Sequence, residues 1–340
     1  MIKSWPFEFF PEKNIDAEAM GNTNYFQNYL DLWVRDEALG FDGIFFSEHH
    51  FGGSFSTSPN LLIAATAVRT SRLRLGVMGI VSPYYSPLRI AEEIGLLDQI
   101  SQGRLEIGLS IGVPQELMRL DISMERGRAL HEETLDLLGP ALTSGVLNHY
   151  GRNFTFENVR ILPPVLQRPH PPIWTTVISE SSAARAAANG HKISTGFHSR
   201  ERVRSIFDAY RLEAEKADRH STPDCLGLRR RVVIASSRSA ALEMSERVAE
   251  RLKKFAADDT RLKLSKVPDE PGSKQSGFSL SDDEFLAGTP KDVAEMIVEQ
   301  CRFTGAGNFL AVIHWGAEFE EIARGHELYA RDVIPVLKKA

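Results

Sequence analysis

Three apolar runs decide the fold: Gly43-Ile44-Phe45-Phe46, Leu73-Arg74-Leu75-Gly76-Val77-Met78-Gly79-Ile80-Val81 and Leu105-Glu106-Ile107-Gly108-Leu109-Ser110-Ile111. Their starts lie 30 and 32 residues apart, the length of one strand, one crossover helix and two short loops. The runs are apolar almost throughout, as a strand covered on both faces has to be. Helical periods lie between them. Ser58-Pro59 and Ser86-Pro87 each read as an N-cap followed by proline in the first turn. Behind these starts, Leu61, Leu62, Ala65 and Val68, and then Ile90, Ile94, Leu97 and Ile100, are expected to face inward, with Gly103 as a stop. Upstream, Phe26, Tyr29, Leu30, Trp33 and Val34 fall on one face of a helix that Gly40 can end.

The same alternation continues outward. Further strands are expected at Ile2–Phe9, Ile173–Ile178, Ile193–Phe197, Val232–Ala235 and Phe309–Trp315, bringing the total to eight. Helices are expected at Ala183–Asn189, Arg202–Ala217, Ala240–Ala256 and Asp292–Phe303. This pattern favours an α/β fold, a parallel (β/α)8 TIM barrel forming a single domain over residues 1–340, rather than an open doubly wound sheet. Two segments break the rhythm. Residues 146–162 hold short alternating runs around Tyr150-Gly151 and read as a β-hairpin insertion. Residues 256–289, which include Asp269-Glu270-Pro271-Gly272-Ser273-Lys274, are polar and rich in turn formers, and are expected to form a long mobile, lid-like loop rather than a strand.

Composition narrows the function. A formal net charge of -5 offers no basic face for nucleic acid or an anionic membrane, which leaves small-molecule chemistry as the default. Cys225 and Cys301 lie far apart and form no CxxC, so neither a disulfide framework nor a zinc site is suggested. No basic-then-apolar leader opens the chain, and no segment approaches about 18 uninterrupted apolar residues, which points to a cytoplasmic protein.

In a parallel barrel the usable side chains lie just past the carboxyl ends of the strands. At the first such end stand Glu48, His49 and His50. Adjacent histidines on extended chain point to opposite faces, so the pair is poorly placed to chelate one ion, and no metal is expected. One imidazole as a base or donor, with the other turned toward the helices, is the alternative; a core histidine is the plainer reading. At the second end, Met78-Gly79 places a glycine inside an apolar strand, suited either to close approach of a flat ring or to simple packing. At the third, Ser110 sits among small residues. At the fourth, Ser179 and Ser182 open an alanine-rich helix whose N-terminus suits an anion, though N-capping explains the same serines. Phe46, Phe51, Met78, Phe197 and Trp315 are candidates for apolar pocket walls.

Taken in order, these segments resemble the bacterial luciferase-like family of flavin-dependent monooxygenases. The likeness is carried by Leu39-Gly40-Phe41-Asp42 with Glu48-His49-His50-Phe51, by Arg72-Leu73-Arg74-Leu75-Gly76 through Ser86-Pro87-Leu88-Arg89, and by Leu96-Leu97-Asp98-Gln99-Ile100-Ser101-Gln102-Gly103-Arg104. Later landmarks are Pro169-His170-Pro171-Pro172-Ile173-Trp174, Gly288-Thr289-Pro290 and Asp332-Val333-Ile334-Pro335.

The resemblance implies an enzyme that takes reduced FMN from a separate flavin reductase and reacts with O2 through a flavin hydroperoxide to oxygenate a small organic substrate. It implies that His49 is catalytic, with Glu48 beside it. Met78 and Gly79 fall where the family often has a non-prolyl cis peptide against the flavin ring. Ser179 and Ser182 match hydroxyls that hold the flavin phosphate, and Ser110 belongs to the same cofactor-binding set. A dimer is implied as well. Ile111 and Ile178 stand where luciferase carries an arginine and a glutamate, which implies either that another basic residue, with Arg185 as a candidate, meets the phosphate or that flavin binds only transiently. Two alternatives stay open: a deazaflavin (F420)-dependent oxidoreductase that transfers hydride, and a non-catalytic flavin-binding accessory subunit.

Overall fold

A computed structural model of the chain describes residues 1–10, 24–51, 54–196, 198–258 and 283–340. Its strands are β1 (Lys3–Glu8), β2 (Gly43–Phe46), β3 (Arg74–Val77), β4 (Ile80–Val81), β5 (Leu105–Ser110), β6 (Val146–Tyr150), β7 (Thr155–Arg160), β8 (Ile173–Thr176), β9 (Lys192–Gly196), β10 (Leu226–Ile234), β11 (Phe285–Gly288) and β12 (Asn308–Ile313). Eight of them close on themselves in the order β1-β2-β3-β5-β8-β9-β10-β12 and back to β1, every pairing parallel. Around this barrel run α1 (Asn24–Leu39), α2 (Pro59–Ala67), α3 (Pro87–Ile100), α4 (Pro114–Arg119), α5 (Met124–Ser144), α6 (Glu180–Ala188), α7 (Arg200–Lys216), α8 (Arg238–Asp258), α9 (Pro290–Thr304), α10 (Phe319–Leu328) and α11 (Ile334–Leu337). The fold is thus a (β/α)8 TIM barrel. Antiparallel β6 and β7 form the hairpin between α5 and β8.

The lower half of the barrel is solid because glycines yield to rings. A Cβ on Gly43 would lie 2.1 Å from the Trp5 ring, and one on Gly76 would lie 2.3 Å from Phe45. Trp5, Phe45 and Trp174 then pack through the centre, tilted and edge-to-face, with ring centroids 4.9 and 5.6 Å apart. Their polar atoms are satisfied: Trp5 Nε1 donates to Asn308 Oδ1 at 3.1 Å, and Trp174 Nε1 donates to Glu106 Oε2 at 2.7 Å. Arg74 Nε donates to the other Glu106 oxygen at 2.6 Å. Large rings opposite missing side chains pack the lower interior, below the cavity at the carboxyl ends of the strands.

Several expected details are revised. In α2 the buried residues are Pro59, Ile63, Thr66 and Ala67, while Leu61 and Val68 are each 72% exposed. The helix is apolar on nearly every side, so period alone could not select its inner face. In α1, Leu32 and Asp36 join Tyr29 and Trp33 inside, and Phe26 is half exposed. The run 73–81 is not one strand but β3 and β4. Strand β10 starts at Leu226, six residues before the expected Val232, because Arg229, Arg230 and Arg231 lie within it. Of the expected lid, residues 259–282 lie outside the described residues; at its edges α8 runs to Asp258 and Phe285–Gly288 is a strand paired with Arg231–Ile234. Four residues are too few to show a strand period, and the pairing with β10 supplies what the local sequence does not.

One buried charge cluster ties α10 and α1 to β1. His326 Nδ1 donates to Asp36 Oδ1 at 2.9 Å, and His326 Nε2 lies 3.6 Å from Glu8 Oε1. Burial disfavours the imidazolium, but the Asp36 carboxylate and then Glu8 outweigh it and lift the His326 pKa to about 10. A raised histidine pKa contributes stability that is complete below the unfolded value and is lost as pH climbs through the folded one. Denaturant melts should therefore show stability falling from pH 7 toward pH 10. His326→Gln should lose about 3–5 kcal/mol at pH 7 and show a flatter profile; an unchanged profile would remove this role.

Candidate active site

Above the aromatic plug lies a cavity of about 890 Å³. His49, the third residue beyond β2, lines it, with its ring stacked on Phe9 at 5.8 Å and 14°. His49 Nδ1 lies 3.2 Å from Oε1 of the fully buried Glu116, on α4. A carboxylate at Nδ1 assigns the proton to that nitrogen and leaves Nε2 as the acceptor. The arrangement fixes both the tautomer and the ring direction.

Glu48 also lines the cavity, but its carboxylate is occupied. Oε1 accepts from the Tyr85 hydroxyl at 2.8 Å and bonds His50 Nε2 at 2.9 Å, and Oε2 accepts the Val81 N–H at 3.1 Å. It clamps the end of β2 to β4, and it holds His50 against Tyr84. Between β3 and β4, the Met78–Gly79 peptide is cis. A Cβ on Gly79 would lie 2.8 Å from the backbone of Gly108 and Leu109, so this wall of the cavity is bare backbone pressed onto β5. Ser110 Oγ donates to the Gly79 carbonyl at 3.1 Å and joins the same wall.

At the other end of the cavity, Ser179 and Ser182 cap α6 reciprocally: Ser179 Oγ accepts the Ser182 N–H at 3.3 Å, and Ser182 Oγ accepts the Ser179 N–H at 3.3 Å. Arg185 reaches this corner, yet it is held by Glu132 at 2.8 Å and Asp136 at 3.2 Å. Arg128 of α5 also lines the cavity and is exposed. Nearby, His131 Nδ1 lies 2.8 Å from Ser82 Oγ. Burial, reinforced by the positive charges of Arg185 and Arg128 and by coupling to His191, pushes the His131 pKa down to about 4, so it is a neutral hydrogen-bonding group at pH 7.

The expected apolar walls fare unevenly. Met78 lines the cavity, but Phe46 does not: it is fully buried on the outer face of β2, edge-on to Trp33 at 4.8 Å. Both faces of β2 are covered, so an unbroken apolar run gave no clue to which of Phe45 and Phe46 points inward. Phe51 adopts a positive φ of 65° and turns outward beneath the Arg119 guanidinium, 5.7 Å from its ring. Trp315 stands behind Phe9, at 5.3 Å, and does not line the cavity itself. Phe197 lies outside the described residues. Phe7 and Phe9 of the first strand and its exit take the place of these walls. Ile111 and Ile178, the two departures from luciferase, also line the cavity.

The family model of luciferase-like monooxygenases matches residues 7–306. The chain belongs to that family. This luciferase-like chain is 31% identical over 317 residues to the uncharacterized protein y4wF of Sinorhizobium fredii, covering 91% of the chain and 90% of the relative. It is 31% identical over 248 residues to the oxygenase component of a flavin-dependent trigonelline monooxygenase of Acinetobacter baylyi, covering 71% and 68%. Among solved structures, monooxygenase RslO1 from Streptomyces bottropensis aligns with a TM-score of 0.84 at 27% identity, covering 98% and 99%.

The cavity lining of this luciferase-like chain also includes charged and titratable residues that its sequence did not single out, among them Glu116, Arg128, His131, His191 and Arg229. A signal for α5 exists in Ser123 as a cap and in His131, Leu135, Leu138 and Leu142 at helical spacing, all buried. Among the described residues, no group of three or more His, Cys, Asp or Glu side chains is placed to hold a metal, and no helix is long and apolar enough to cross a membrane. The backbone wall gives a direct test: Gly79→Ala should destabilise the fold by about 1–3 kcal/mol in denaturant melts, because its methyl group has only backbone to displace. A neutral substitution would mean that the wall is not tightly packed.

Proposed function

We propose that this protein is the oxygenase of a two-component system that uses reduced FMN, supplied by a flavin reductase, and O2 to oxygenate a small organic substrate. The observation that carries the reading is the His49–Glu116 pair facing a cavity with a bare backbone wall at one end and an anion corner at the other. The residues fit the cofactor. Ser179, Ser182, the N-terminus of α6 and Arg128 suit a phosphate, and Arg128 takes the part that Ile111 cannot. Met78 and Gly79 line the cavity beside His49, where we place the flavin ring. The volume also falls within the range of about 300–1,000 Å³ typical of small-molecule sites.

Reduced flavin, when bound, supplies the electrons that activate dioxygen. The chain does the rest. His49 Nε2 accepts or returns a proton there, and Glu116 steadies the imidazolium that results. Glu48 acts as a positioning residue by holding the His49 loop on β4. Phe7, Phe9 and Met78 exclude water, which protects reactive oxygen species from loss. We assign the expected dimer contact to the outer side of α2 and α3, where Leu61, Val68 just past α2, and Leu96 are exposed apolar side chains that a second copy can cover by symmetry.

Alkanals, cyclic ketones and N-heterocycles supplied with O2 and reductase-generated FMN form the test panel. His49→Ala should retain FMN and lose roughly 100-fold or more in product formation, and Glu116→Gln roughly ten-fold. Turnover without O2 on reduced deazaflavin, with none on FMN, would replace this reading with hydride transfer; full activity in His49→Ala would remove its catalytic role. The phosphate corner is tested separately. Arg128→Ala should weaken FMN binding roughly ten-fold and leave riboflavin binding unchanged; equal losses for both would place Arg128 elsewhere.

A further inference from the structure

Strand β10 reads Leu226-Gly227-Leu228-Arg229-Arg230-Arg231, three consecutive guanidinium groups inside a barrel strand. Side chains alternate along a strand, so Arg229 and Arg231 share one face and Arg230 takes the other. Arg230 turns toward the helices, where its Nε donates to Gln300 Oε1 at 2.7 Å. Arg229 turns inward and lines the cavity, with its guanidinium 4.7 Å over the Phe7 ring. The neighbouring strand makes way for it: a Cβ on Gly196 would lie 2.7 Å from Arg229 Cβ and 2.6 Å from its carbonyl oxygen.

This cation sits close to the proposed chemistry. Phe7 lies 5.1 Å from Phe9, and Phe9 stacks on His49, so two rings separate Arg229 from the imidazole along one wall. Its charge persists: burial, followed by the like charges of Arg231 and Arg230, pushes its pKa down, but only to about 10. An apolar floor would hold a neutral chain more readily. A guanidinium there raises the local potential in a site of low dielectric, where an anion is bound far more strongly than in water.

We propose that Arg229 is a specificity residue, binding a carboxylate or comparable oxyanion of the substrate at the floor of the cavity while Phe7, Phe9 and Met78 enclose its apolar part. The inference rests on the oxygenase reading for calling that ligand a substrate, but the binding itself requires no flavin. The preferred ligand is then a compact molecule with one apolar body and one anionic end, and a neutral alkanal of the same length is second best.

Isothermal titration of the flavin-free protein with octanoate and benzoate, each against its neutral amide, tests this. The wild type should prefer each acid by roughly ten-fold or more. Arg229→Met should lose that preference, Arg229→Lys should keep most of it, and Arg128→Ala should keep it in full, since the phosphate corner is not involved. Circular dichroism melts establish that each variant is folded. No preference in the wild type, or a preference surviving in folded Arg229→Met, overturns the proposal. A preference lost in Arg128→Ala overturns it too, by moving the anion to the α6 corner. One further arm separates substrate from cofactor: anaerobic titration of reduced FMN into Arg229→Met should match the wild type, and a comparable loss there would make Arg229 a flavin contact instead. Failure of FMN to bind either protein would sink the oxygenase reading while leaving the acid preference intact.

Discussion

Everything above the barrel depends on what fills it below. Trp5, Phe45 and Trp174 occupy space that Gly43, Gly76 and Gly227 leave open; a Cβ on Gly227 would come within 3.2 Å of both Trp174 and, at 3.1 Å, Leu310. Glu106 and Asn308 take up the indole N–H groups, so the plug contains no unsatisfied ring nitrogen. A floor this dense gives the residues at the strand ends a rigid base. His49, a loop residue, stands at a defined angle because its ring stacks on Phe9, just past β1, and its Nδ1 meets Glu116 on α4.

Electrostatics then divides the cavity. The α6 corner collects hydroxyls and helix N–H groups, with Arg128 also in the lining, the middle offers bare backbone and one imidazole, and the floor carries Arg229 beside aromatic rings. Neutral His131 lies between these regions, kept uncharged by burial and by the surrounding cations. Two positive regions separated by an apolar stretch suit a cofactor with an anionic tail and a substrate with an anionic head. Membership in the luciferase-like monooxygenase family fits this division, and the lining has Ile111 at a strand end and Arg128 on helix α5.

How much of this was legible in sequence depended on whether one face or two were buried. Strand spacing revealed the barrel, because each β-α unit repeats at a length set by geometry. The strand-end residues His49, Met78, Gly79, Ser110, Ser179 and Ser182 all proved to line one cavity, since a parallel barrel gathers those ends together. Inward and outward were harder. Phe45 and Phe46 are equally buried, one in the plug and one against α1, and alternation carries no sign when both neighbours are apolar. Helix α2 concealed its inner face for the same reason. Strand β10 was cut short because three arginines look like surface until the barrel supplies Phe7 and Gln300 to receive them. Glu116 could not be paired with His49 across 67 residues without the fold.

His49 is proposed to face a dry slot made for reduced FMN. Anaerobic titration of reduced FMN, followed by rapid mixing with O2, measures it directly. The account predicts saturable binding and hydrogen peroxide release far slower than from free reduced flavin, with that delay abolished in His49→Ala. Reduced FMN that does not bind, or that releases peroxide at the free rate while bound, would contradict it.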